Sequence, residues 1–222
     1  MLLKGLFQNC ACPKGWGGKL VVAMMNHGPH AALAKWGLEH IAVRSDASAL
    51  DVGCGGGANV RRLLALAEHG HVTGVDVSEV SVAKSRSYNE GAIRHGRCEI
   101  LIGDVSALPF ENERFDVATA FETVYFWPGL DRCFAEIYRV LRPGGVFLVA
   151  NESTGEDEAI KAFAKVIDGL TPHTVAEIRG AMARAGFIDI QADVDEKIHR
   201  VAVTGRKTAE TEETEETNES QL

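Results

Sequence analysis

The amino-acid sequence predicts an α/β protein: a parallel sheet with helices on both faces and a final strand that runs antiparallel. Three observations predict it. Short apolar runs alternate with helical stretches from residue 47 to about residue 150, the pattern of buried strands joined by crossover helices. A glycine-rich stretch, ALDVGCGGG at residues 49–57, stands between the first such run and the first helix. Near the end, two strand-like runs are joined by only Asp193, Val194, Asp195 and Glu196. That is too short for a parallel crossover, so the last strand must reverse direction.

Each element has its own local signal. Residues 1–46 read as an N-terminal extension. Within it, residues 9–18 hold Pro13, Gly15, Gly17 and Gly18 and read as loop. Residues 30–43 place Leu33, Ala34, Trp36, Leu38 and Ile41 at helical spacing. Strands are expected at 48–52, 71–76, 99–102, 115–121 and 146–150, with helices at 59–68, 79–95 and 130–141. Helices at 157–169 and 174–185 follow. Thr174 and Glu177 form a capping-box pattern, and Gly186 stands where a helix C-cap belongs. Strands at 187–192 and 197–205 complete a domain of residues 47–205. Residues 206–222 are Thr/Glu-rich with little to bury, an acidic tail expected to be disordered.

Composition narrows the function. A chain of 222 residues can bury a full core in one domain. Its net charge is −8, but six glutamates between residues 208 and 222 carry most of it, leaving about −2 for the body. A polyanionic partner such as nucleic acid is therefore not favoured. Five cysteines without framework spacing suit a reducing compartment. Cys10 and Cys12 form a C-x-C without a second ligand pair, so no metal site is expected. Lys4 and Gly5 interrupt the apolar start, and no apolar run approaches the roughly 20 residues of a membrane span. A cytoplasmic protein with no membrane association is expected, as a monomer or homodimer.

The turn after the first strand is the main chemical signal. Gly53 and Gly55 let the backbone turn tightly and approach a ligand without an intervening Cβ. The helix that follows presents unpaired N–H groups at its first turn. Together these make a crevice at the C-terminal ends of the strands. The glycines alone fit two cofactor classes. Gly53, Gly55 and Ala58 also match a dinucleotide fingerprint, with Asp76 where a ribose-binding acid belongs.

Four segments in order resemble the class I S-adenosylmethionine-dependent methyltransferases, particularly the small-molecule group that includes menaquinone and ubiquinone methyltransferases. They are ALDVGCGGG at 49–57, VTGVDVS at 72–78, LIGDVSALPF at 101–110 and LRPGG at 141–145. The resemblance implies a doubly wound, Rossmann-like seven-stranded sheet of order 3-2-1-4-5-7-6 with strand 7 antiparallel. It also implies S-adenosyl-L-methionine as cofactor. In that reading Gly53, Gly55 and Gly57 form the turn, and Asp76 holds the ribose hydroxyls. Val77 packs on the adenine, while Asp104 and the Val105 N–H read its edge. Asp51 and the Phe121 carbonyl lie near the amino-acid tail.

Methyl transfer needs chiefly proximity and alignment, so no strong acid–base pair is required. The acceptor side is correspondingly less marked. Glu122 and Tyr125 follow the fourth strand and are candidates to orient or deprotonate an acceptor, with Phe126 and Trp127 as an apolar wall. The extension, as an active-site lid, would bring His27 or His30, whose ordinary pKa lies near neutrality. A small-molecule acceptor is expected. The alternatives are an NAD(P)-dependent oxidoreductase and a non-catalytic S-adenosylmethionine-binding protein.

Overall fold

A computed structural model describes residues 29–209. The expected loop at 9–18, Cys10, Cys12 and His27 lie outside the described residues, as does the tail from residue 210 onward.

Seven strands form one sheet of order β3-β2-β1-β4-β5-β7-β6. They are β1 (Ser48–Val52), β2 (His71–Asp76), β3 (Cys98–Ile102), β4 (Phe115–Phe121), β5 (Leu141–Asn151), β6 (Ile188–Asp195) and β7 (Arg200–Arg206). The first five pair in parallel, and β7 runs antiparallel to both β5 and β6. The helices are α1 (Pro29–Leu38), α2 (Ala58–Leu66), α3 (Glu79–Tyr88), α4 (Glu90–Arg94), α5 (Leu130–Val140), α6 (Glu158–Ala164) and α7 (Val175–Ala185). Among the described residues, no helix is long and apolar enough to cross a membrane.

Helix α5 shows why the layers hold. Leu130, Cys133, Phe134, Ile137 and Val140 recur at helical spacing and are all buried. Phe134 meets Phe147 of β5 and Trp127 edge-on, at centroid distances of 5.1 and 5.9 Å, the favoured geometry for aromatic pairs. On the other face, Leu33 and Ala34 of α1 pack with Phe121, Leu148, Ala150 and Ala202. A Cβ on Gly37 would lie 3.0 Å from Ala150 Cβ, so glycine lets α1 lie close against the sheet. The capping box at the start of α7 is complete, with Thr174 and Glu177 bonding each other's backbone N–H groups.

Several boundaries differ from expectation. The helix expected at 79–95 is interrupted at Asn89, whose side-chain amide donates to the carbonyls of Gly57 and Ser85. Strand β5 starts at Leu141, which pairs with Phe115 before the register jumps to Val146↔Val117. The LRPGG turn is thus absorbed into the strand as a bulged irregularity, with Gly144 at φ 78°. The β6–β7 connection lies at residues 196–199, three positions later than expected. Strand β6 is a largely exposed edge, so burial leaves little pattern there to mark its end. Helix α6 ends at Ala164, short of residue 169.

Candidate active site

A cavity of about 250 Å³ opens at the C-terminal ends of β1, β2 and β4. The glycine turn forms its floor. Gly53 and Cys54 both donate to the Val75 carbonyl, at 2.8 and 3.0 Å, which seats the turn on β2. Gly53, at φ 72°, lies so near Thr123 that a Cβ would stand 2.1 Å from its Oγ1. Gly55, at φ 49°, has open space where a Cβ would be. Gly57, at φ 83°, precedes α2 without a side-chain cap and packs against Ser85 and Asn89. The turn therefore divides its labour: Gly53 and Gly55 line the cavity, whereas Gly57 lies behind it.

Three acids were expected here, and the structure places them differently. Asp76 ends β2 and lines the cavity. Its Oδ2 accepts from the Gly55 N–H at 2.9 Å and its Oδ1 from the Ser78 N–H at 2.8 Å. Burial raises its pKa, opposed by those hydrogen bonds. The N-cap of α3 is Ser78, whose side chain accepts from the Ser81 N–H. Asp104 also lines the cavity, where its Oδ1 accepts from the Ser106 N–H at 2.8 Å. Asp51 is 1% exposed and lies beneath the surface rather than on it. Its Oδ1 accepts from Thr119 Oγ1 at 2.8 Å, while Oδ2 is buried without a hydrogen-bond partner. Desolvation pushes this carboxyl up to about 7.

Val77, Val105 and Phe121 all reach the cavity. Val77 is 51% exposed, an uncovered apolar side chain beside Asp76.

The opposite end is built by residues after β4 and β5 and by α1. Glu122 sits at φ 57°, in the left-handed region. Its Oε1 accepts from the Glu152 N–H and, at 3.3 Å, from the Tyr125 hydroxyl. Burial, reinforced by the charge of Glu152, pushes the Glu122 carboxyl up to about 8. Tyr125 is buried outside the cavity lining, and burial beside Glu122 holds its phenol well above the ordinary value. Phe126 and Trp127 do line it, and Trp127 Nε1 donates to Thr123 Oγ1 at 3.1 Å.

His30, on the first turn of α1, lines the cavity with Nδ1 3.5 Å from Glu152 Oε1. Thr123, which follows Glu122 after the fourth strand, also lines the cavity, and Glu152 was missed in the sequence. The only signal for Glu152 was position, as a polar residue just beyond β5, where ligands of parallel sheets bind.

Residues 50–149 match the model of a family described as methyltransferase domain. The chain is 36% identical over 110 residues to 24-methylenesterol C-methyltransferase 2 of Arabidopsis thaliana, covering 49% of this chain and 30% of that protein. It is 35% identical over 140 residues to sterol 4-C-methyltransferase strm-1 of Caenorhabditis elegans, covering 62% and 39%. The chain thus spans about a third of the length of these curated relatives. Among solved structures, it resembles a chain of the complex between the Haloferax volcanii Trm112 methyltransferase activator and a methyltransferase. The TM-score is 0.74 at 21% identity, over 87% of this chain and 96% of that one.

Proposed function

We propose that the chain is a class I S-adenosylmethionine-dependent methyltransferase, a reading supported by the methyltransferase-domain match at residues 50–149, and that it transfers a methyl group from S-adenosyl-L-methionine to a small-molecule acceptor. The observation that carries this reading is the pairing of Asp76 with the Gly55 turn beside an uncovered Val77.

The residues present fit the cofactor. Asp76 lines the cavity, its carboxylate held by the Gly55 and Ser78 N–H groups and by the Ser81 side chain, and it is an acceptor suited to a ribose hydroxyl. Val77 and Val105 offer apolar surface to the adenine, and Asp104 accepts from its amine. Asp51 Oδ2, buried and unpartnered, is an acceptor suited to the cationic tail, directly or through water. The Phe121 carbonyl would serve the same end. Bound there, the cofactor supplies an electrophilic methyl group.

The chain's own contribution is to align the acceptor and exclude water. Phe126 and Trp127 wall the cavity. Glu122 lines the acceptor end of the cavity, with its Oε1 held by the Tyr125 hydroxyl and the Glu152 N–H. His30 faces it from α1, and Tyr125 acts through Glu122 rather than on the acceptor. The nearly neutral body supports a small acceptor over nucleic acid. Buried free Cys54, Cys98 and Cys133 support a reducing, cytoplasmic setting.

Calorimetric titration with S-adenosylhomocysteine tests the reading. Binding is expected in the wild type, with donor-dependent methylated products in an untargeted metabolite screen. Absence of any binding or stabilisation by either form of the cofactor overturns it.

A further inference from the structure

We propose that His30, Glu122 and Glu152 bind a divalent first-row cation at the acceptor end of the cavity, and that the acceptor is a molecule that offers this ion an oxygen ligand. The cation half stands on the side chains themselves. The acceptor half rests on the methyl-transfer reading above.

One ligand atom from each of the three residues lies within 4.8 Å of the others, and all three residues are half-buried. His30 Nδ1 and Glu152 Oε1 are already 3.5 Å apart. Donors at about 2.1 Å from an octahedral ion stand about 3 Å apart when adjacent, so small side-chain movements close the set. Three separate elements deliver these groups. His30 comes from the start of α1, which Leu33 and Ala34 anchor on Leu148 and Ala150. Glu122 and Glu152 follow the ends of β4 and β5, which are paired neighbours.

Two further observations point to a missing positive charge. Glu152 Oε1 is buried and accepts no hydrogen bond. Among the described residues, neither Glu122 nor Glu152 is ion-paired to a lysine or arginine, and Glu152 has only His30. Burying a carboxylate oxygen without a partner is costly, and a cation removes the cost. Meanwhile the Tyr125 hydroxyl and the Glu152 N–H both donate to Glu122 Oε1. Ligating carboxylates are held in this way by hydrogen bonds from behind. Two carboxylates and an imidazole suit Mn²⁺, Fe²⁺ or Zn²⁺. His30 and Glu122 line the same cavity as Gly53 and Asp76, so the ion would hold an acceptor oxygen beside the donor site. A hydroxyl, enol or carboxylate compound is the acceptor class this selects.

The test uses Mn²⁺ with the full chain, because a hard ion discriminates against the thiols of Cys10 and Cys12. Loss of the free-ion electron paramagnetic resonance signal should report one Mn²⁺ per chain, with nitrogen hyperfine coupling from one imidazole. Glu152→Gln and His30→Ala should each weaken binding tenfold or more, and His30→Ala should abolish the nitrogen coupling. Wild-type protein that takes up no Mn²⁺ at millimolar concentration overturns the proposal. So does binding that lacks nitrogen coupling, or binding that both variants retain in full. S-adenosylhomocysteine titration of the same samples is read separately, so a failure of the methyl-transfer reading is distinguishable from a failure of the cation site.

Discussion

The backbone N–H of Gly55 donates to Oδ2 of Asp76 at 2.9 Å. This bond ties the glycine turn after β1 to the end of β2, so one carboxylate both shapes the turn and faces the cavity.

Asp76→Ala should therefore lose in two measurements. Hydrogen bonds to a charged group contribute about 1.5–3 kcal/mol, so urea unfolding should show a loss of that order. Calorimetry with S-adenosylhomocysteine should show affinity lower by tenfold or more. Unchanged affinity would remove Asp76 from the cofactor site.

The three glycines of the turn should separate by substitution to alanine. Gly55→Ala meets open space and should cost about 1 kcal/mol, the strain of a left-handed residue. Gly53→Ala sets a Cβ 2.1 Å from Thr123 Oγ1, so it should cost more and distort the cavity wall. Gly57→Ala presses on Ser85 and Asn89, with the Ser85 backbone at 2.9 Å, and should destabilise the α2–α3 packing. Thermal unfolding of the three variants checks the order, with Gly55→Ala the mildest.

Asp51 should leave a mark on the pH dependence of stability. Its folded pKa is raised to about 7 from an ordinary 3.8, so between these values the native state holds a proton that the unfolded chain has released. Stability then falls as pH rises from about 4 to about 7, by at most about 1.4 kcal/mol per pH unit from this group. Asp51→Asn should flatten that slope in urea titrations at successive pH values. A slope identical to wild type contradicts the assignment.

Thr174→Ala removes half of the capping box at α7. A loss of about 1 kcal/mol is expected. Binding of S-adenosylhomocysteine should be unaffected, because Thr174 does not line the cavity. Denaturant unfolding and calorimetry on one preparation check both parts.

The order of elements was legible because hydrophobic period is local. The apolar run at 115–121 and the buried face of α5 are written in adjacent residues. Boundaries were less legible where a distant group sets them. Asn89 breaks a helix by reaching Gly57, and β5 starts early because Leu141 pairs with Phe115.

By itself, then, the sequence determined the alternation of strands and helices, the glycine turn, the acid after β2 and the reversal of the last strand. Each depends on neighbours within a few positions. Only the tertiary structure decided that Asp51 is buried with an unpartnered oxygen, that Gly57 packs behind the cavity, and that Tyr125 is buried outside the cavity lining with its hydroxyl on Glu122. It alone joined His30 to Glu122 and Glu152. Those three residues are far apart along the chain, and they meet because β4 and β5 are adjacent while α1 packs across their ends. Such proximity depends on where α1 packs across the strand ends, which no local pattern encodes.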